Sequence, residues 1–235
     1  MRNQILKQFA IIALSIAGLT PDMASAASAV IPIDPNRLAD TSNGFLVVIS
    51  KPGSYQLTGN LNVPNANTTA IEINADNVTI DLNGFTIQGP ARCSSRPVIC
   101  SPTGPGNGIH AVLRENIVIR NGYIRGMGNL GIYLETHSAR VDKLNLIGNG
   151  TGAATMFGGL ISNSVVKSNG GVGIFGLDIK VRENIIRDNR LFGLEAYGHS
   201  VYANNKFRGN NNNAAQVNKQ PTQAGSNLCH ATDCH

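Results

Sequence analysis

The sequence predicts an all-β, single-domain chain wound as a right-handed parallel β-helix, a solenoid with about 20–22 residues per coil. Three observations carry this. Apolar residues recur at Ile119, Val141, Ile161, Val181 and Val201, at spacings of 22, 20, 20 and 20. A second apolar set, Ile124, Leu146, Val166 and Ile186, follows the first four by five residues, while Phe207 follows Val201 by six. Short runs beginning at Gly131, Ala153, Gly173, Gly193 and Ala214 alternate small or apolar residues with polar or aromatic ones. That alternation has period two, which gives a strand one buried face.

A single coil of this kind leaves its apolar side in water. Stacked coils bury it as one continuous core. Leucine-rich repeats share the period but need a leucine consensus that is missing here, and helical repeats need a 3.6-residue period that is also missing. Asn149, Asn169, Asn189 and Asn210 recur near the bends. Asparagine there tolerates left-handed backbone and can bond to the asparagine of the next coil.

In chain order, residues 1–26 read as a signal peptide. Arg2 and Lys7 form a positive start, Phe9 to Leu19 is an apolar run of eleven residues, and Ala24-Ser25-Ala26 fits a processing site. Eleven residues are too few to span a bilayer, so a membrane anchor is the weaker alternative. The expected mature chain starts near Ala27, is secreted or periplasmic, and has no membrane span once the leader is removed.

Residues 27–43 are expected to lead in and cap the solenoid. Residues 44–217 are expected to form it, and 218–235 to be a tail. Gly89 to Asn107 interrupts the repeat with a Pro-, Ser- and Gly-rich insertion. Such loops often carry function.

Without its leader the chain keeps 17 basic and 13 acidic residues, a mild bias towards polyanionic partners. Only 14% of residues are charged, below the usual quarter, and the apolar content excludes disorder. Four cysteines in an exported chain read as disulfides. Proximity favours Cys93–Cys100 and Cys229–Cys234. The rival for the second pair is a metal site in the Cys229–His235 tail, disfavoured because a chain terminus is hard to preorganise; no metal or other cofactor is expected.

Three runs carry a resemblance: Ile49-Ser-Lys-Pro-Gly-Ser-Tyr-Gln-Leu-Thr58, Ala75-Asp-Asn-Val-Thr-Ile-Asp-Leu-Asn-Gly84 and Arg120-Asn-Gly-Tyr-Ile-Arg-Gly126. They resemble exported bacterial proteins of the right-handed parallel β-helix repeat class, distant relatives of pectate lyases, over residues 44 to 217. The resemblance implies the fold and a link to acidic polysaccharides. It brings no catalytic residue with it, because no matching motif is present.

The register places two outward rows side by side. One runs His110, Tyr133, Thr155, Phe175, Glu195, Gln216; the other runs Val112, Glu135, Phe157, Leu177, Tyr197, Asn218. Together they gather Tyr133, Phe157, Phe175, Leu177 and Tyr197 on one face. An exposed apolar face means a partner or a covering segment, here either the tail or the 89–107 loop. Aromatic rings are also good platforms for sugar rings.

His110, Tyr133 and Glu135 form the best catalytic constellation on this face, able to abstract and donate protons beside a uronate. Glu135 and Glu195, three rungs and roughly 14 Å apart, are too distant for glycoside hydrolysis. A basic row, Arg125, Ile147, Lys167, Arg187 and Arg208, suits a linear polyanion or simply guards strand edges. Arg120 and Asp142 read as a cross-strand ion pair. Export and the lack of any nucleic-acid module argue against nucleic acid.

The expected function is binding of extracellular or cell-surface polysaccharide, including acidic polymers. Its candidate ligand-binding residues are Tyr133, Phe157, Phe175, Leu177, Glu195, Tyr197, Arg125, Lys167 and Arg187. The alternatives are a metal-independent polysaccharide lyase or epimerase and a non-catalytic protein–protein scaffold.

Overall fold

The computed structural model describes residues 29–38, 44–229 and 234; the expected signal peptide lies outside these. The chain is an all-β parallel solenoid of about nine turns, consistent with right-handed winding. Each turn contributes to three parallel sheets, named here A, B and C.

Sheet A stacks Phe45–Ile49, Thr69–Ile73, Ile109–Arg114 and Leu130–Thr136, then the first halves of Gly152–Ser162 and Val172–Arg182, then Leu194–Tyr197. Sheet B starts at Ile31–Ile33 and passes through Gly53–Leu57 and Val78–Asp81 to the first halves of Ile117–Arg125 and Arg140–Ile147. The second halves of Gly152–Ser162 and Val172–Arg182 continue it, followed by Val201–Ala203 and Thr222–Gln223. Sheet C holds Leu61–Asn62, Thr86–Gln88, the ends of Ile117–Arg125 and Arg140–Ile147, Val165–Lys167, Ile185–Arg187, Lys206–Arg208 and Leu228–Cys229. The segments before residue 44 and after 217 therefore add rungs of their own.

The two apolar sets meet inside as predicted. Ile119, Val141, Ile161, Val181, Ile124, Leu146, Val166 and Ile186 are fully buried. The last turn departs from expectation. Val181 aligns with Tyr202, not Val201, and Tyr202 has no exposed surface. The extra residue thus lies before Tyr202, so Phe207 again follows its core partner by five.

Asparagine ladders brace two of the three bends. At the bend from sheet C to sheet A, Asn149 bonds to Asn169, Asn169 to Asn189 and Asn189 to Asn210 through side-chain amides at 2.8–3.0 Å. At the bend from sheet B to sheet C, Ser164 receives the Leu144 N–H, and Asn184 and Asn205 continue the line. The ladder residues themselves are not the left-handed ones. That conformation falls one residue earlier, at Gly148, Ser168, Asp188 and Gly209 in the first ladder. The amide turns inward and caps buried peptide groups, which any sealed bend must satisfy.

Gln216 corrects a second expectation. The period places it outward, yet it is fully buried. Its Oε1 accepts from Asn210 Nδ2 at 2.9 Å, closing the ladder. Val217, not Ala215, bridges Leu194, so the final turn is two residues out of the predicted register. Asn218 consequently falls beside Glu195 rather than Tyr197, and its side chain bonds the backbone of Ala196.

Both predicted disulfides are present, Cys93–Cys100 and Cys229–Cys234. The first pins a small hairpin in the 89–107 insertion. Among the described residues, no helix is long and apolar enough to cross a membrane. These features are compatible with an extracellular or periplasmic protein.

Candidate functional site

Sheet A presents the two predicted outward rows in register. His110, Tyr133, Thr155, Phe175 and Glu195 stack on successive rungs, and so do Val112, Glu135, Phe157, Leu177 and Tyr197. Alternation turns Ile132, Leu134, Ile174 and Leu194 into the core and these residues outward.

The rings meet in two groups. His110 stacks on Tyr133 with centroids 5.2 Å apart, and Tyr133 meets Phe157 at 6.4 Å. Phe175 meets Tyr197 at 5.9 Å. Leu177 is 41% and Tyr197 38% exposed, so the patch faces water.

Neither expected cover lies over it among the described residues. The 89–107 insertion runs along the sheet C to sheet A bends instead. Cys100 Sγ sits 3.5 Å from the Asn149 carbonyl, and Arg96 pairs with Asp188 at 3.3 Å. The tail up to Cys229 is consumed by pairing on sheets B and C.

The structure adds a residue that the repeat did not reveal. Glu72 occupies the rung before His110, and its buried carboxylate holds His110 Nδ1 at 2.7 Å. The signal was present in the alternating run Thr69-Ala-Ile-Glu-Ile73. The insertion put it 38 residues upstream rather than about 20, so the period did not reach it.

Tyr133 donates to Glu135 Oε2 at 3.4 Å, and Tyr197 donates to Glu195 Oε1 at 2.8 Å. Burial, then the charge and hydrogen bond of Glu135, push the Tyr133 hydroxyl above its ordinary value of 10.0. The Glu195 hydrogen bond and charge do the same to Tyr197. Both phenols are therefore held as proton donors at neutral pH. His110 and Tyr133 are in contact ring to ring.

Beside this face, at the bend from sheet A to sheet B, lies a cleft of about 780 Å³. Phe157, Leu160 and Leu177 line it together with Glu135, His137, Asp178 and Lys180. Thr136, whose buried hydroxyl has no hydrogen-bond partner, lines it too. The strand Gly152–Ser162 crosses this bend through Gly158 and Gly159, at φ +84° and +96°. Both line the cleft and lie tight against the Thr136–Ala139 backbone of the turn before, where a Cβ on either would meet a carbonyl. His137, Asp178, Lys180 and this glycine pair escaped sequence reading, because bends carry no periodic signal.

The basic row is in register on sheet C: Arg125, Ile147, Lys167, Arg187 and Arg208. It therefore belongs to a different face from the aromatic rows. Arg125 donates to Gln88, and Arg187 pairs with Asp188 at 3.1 Å. Arg120 bonds Asp81 at 3.1 Å rather than the expected Asp142, whose Oδ1 accepts from Ser162 and Asn163.

The chain matches no protein-family model, and no curated protein or solved structure matches it either. Function is therefore argued from geometry. Cys229 and Cys234 spend their sulfurs on each other, so they offer no thiolate pair to a metal. His230, Asp233 and His235, the remaining ligand types of that rival site, lie outside the described residues.

Proposed function

We propose that this is an exported β-helix protein that binds extracellular or cell-surface polysaccharide along the outward face of sheet A. The observation that carries the reading is the uncovered run of Tyr133, Phe157, Phe175, Leu177 and Tyr197 on consecutive rungs. Rungs repeat at about 4.8 Å, so the floor extends over several sugar rings. Aromatic faces supply the area and the quadrupole that the apolar face of a sugar prefers, and the adjoining cleft supplies polar groups at its edge. The pectate-lyase-like resemblance supports a polysaccharide ligand without supplying a residue. In this reading Arg125, Lys167 and Arg187 form a separate basic strip that contacts polymer only when the polymer is anionic.

Affinity electrophoresis of the mature protein through neutral and acidic polysaccharides tests the reading, with Phe175→Ala alongside. Retardation by a polymer, weakened by the substitution, is the expected result. No retardation by any polymer leaves a protein–protein scaffold as the role of this face.

A second reading, a metal-independent lyase or epimerase, draws on one observation: the buried Glu72 carboxylate orients His110. Held at Nδ1, the imidazole keeps Nε2 for proton transfer. Tyr133, kept as a phenol, would donate a proton to the substrate rather than abstract one, with Glu135 orienting its hydroxyl. Tyr133→Phe separates the readings, since a catalyst loses turnover and keeps binding.

A further inference from the structure

The charge on sheet A says which polysaccharide fits. Its two outward rows, from Glu72 to Tyr197, carry Glu72, Glu135 and Glu195 and neither lysine nor arginine. Glu72 is engaged by His110. Glu135 and Glu195 each take one tyrosine proton. A carboxylate has about four acceptor positions, so both can accept more. The tyrosine protons are already committed to them. What the face offers a ligand is thus acceptors and negative charge at both ends of an apolar floor. The neighbouring cleft adds Lys180 and Asp178, the latter paired with His199 at 3.2 Å.

A uronate brings a further carboxylate to this surface. It meets like charge and finds no lysine or arginine in either row to pair with, and such a mismatch disfavours a ligand as strongly as contacts favour one. A protonated amine does the opposite. It donates up to three hydrogen bonds and neutralises the carboxylate, and charge-assisted bonds of this kind are about twice as strong as neutral ones. We propose that the sheet A face recognises a polysaccharide of amino sugars with free amino groups, held by Glu135 and Glu195 over the Phe157–Phe175 floor. This deepens the polysaccharide-binding reading and rests on it.

The overall charge makes the proposal demanding. The chain carries a formal net charge of +5, so bulk electrostatics repel a polyamine. Retention of one must come from a local site. A polyuronate, by contrast, is drawn to the basic row on sheet C, away from the aromatic floor.

The test is titration calorimetry of the mature protein with glucosamine hexamer, N-acetylglucosamine hexamer and galacturonate hexamer, at physiological salt. The variants are Phe175→Ala and the double variant Glu135→Gln/Glu195→Gln, whose amide oxygens still accept from the tyrosines. The expected result is glucosamine-hexamer binding that weakens in Phe175→Ala and falls about tenfold per carboxylate replaced. Galacturonate binding should be absent or indifferent to Phe175→Ala. Equal binding of the glucosamine and N-acetylglucosamine hexamers, unmoved by the double variant but weakened by Phe175→Ala, would overturn the amino-sugar selectivity and keep the polysaccharide face. Galacturonate binding that Phe175→Ala weakens would overturn it too. If no hexamer and no polymer responds to Phe175→Ala, the polysaccharide reading falls and this inference falls with it.

Discussion

The bend from sheet C to sheet A and the bend from sheet A to sheet B lie on opposite edges of the same sheet, and the chain treats them differently. At the first, Asn149, Asn169, Asn189, Asn210 and Gln216 form an unbroken buried ladder. The disulfide-pinned insertion lies across several of these turns. At the second, Ala139, Gly158 and Gly159 line a cleft next to the aromatic rows. Sealing one edge leaves the other free to be concave. A solenoid needs its rungs held in register, and a ladder along one bend does that without occupying the outward faces.

Breaking the sealed edge should have the largest effect. Asn189 Oδ1 accepts from the Asn169 backbone and side chain, and Asn189 Nδ2 donates to Val166 O and Asn210 Oδ1. Asn189→Leu leaves the Asn169 N–H without its acceptor in a dry bend and takes one bond each from Asn169 Nδ2 and Asn210 Oδ1, which keep the Leu146 carbonyl and the residue 189 N–H. A buried orphan costs roughly 1–3 kcal/mol, so a loss of about 3 kcal/mol is expected in urea unfolding. A loss below about 1 kcal/mol would show that water repairs the ladder.

The open edge should answer more mildly. In Gly159→Ala the new methyl runs into the Ala139 carbonyl, with φ at +96°. About 2 kcal/mol of destabilisation is expected for a strained backbone of this kind, with the cleft's wall displaced. Thermal melts would check the first part and glycan titration the second.

Phe175→Ala sharpens the contrast in the other direction. Its ring is half-exposed on the outward face, so stability should shift by about 1 kcal/mol or less. Polysaccharide affinity should fall about tenfold. A large loss of stability with affinity intact would place the ring in the structural rather than the binding half of the comparison.

The smallest effect concerns pH on sheet B. Burial pushes the Asp142 carboxyl up, but hydrogen bonds from Asn163 and Ser162 and the charges of Lys143 and Arg140 outweigh it, and the group ends below its ordinary 3.8. A lowered carboxyl stabilises the fold above its unfolded value and loses that contribution as pH falls through the folded value. Asp142→Asn should therefore cost a few tenths of a kcal/mol at pH 7. Wild type and variant should converge in melts as pH falls through the folded-state value, which lies below 3.8.

Legibility in the sequence tracked periodicity. Ile119 and Ile124 with their equivalents could be placed inside, and Tyr133, Phe157 and Phe175 outside, because alternation and the 20-residue period act on every turn. Glu72 was hidden by the insertion, which broke the count between it and His110. Val201 and Gln216 sit elsewhere than the period puts them because extra residues near the last turns move the register by one and by two. The one-residue slip turns Val201 to the other face, whereas the two-residue slip keeps the face and carries Gln216 back into the bend.

By itself, then, the sequence determined the solenoid, its buried stripes, its two short disulfide loops and the contents of the aromatic rows. All of these follow from local spacing repeated many times. Only the tertiary structure decided that Glu72 grips His110, that the insertion covers the asparagine bends rather than the aromatic face, and that the basic row turns to another sheet. It also opened the cleft at Gly158 and Gly159. Those outcomes depend on how far the chain turns at each bend. That turn is set by a few residues acting once, and so leaves no period to read.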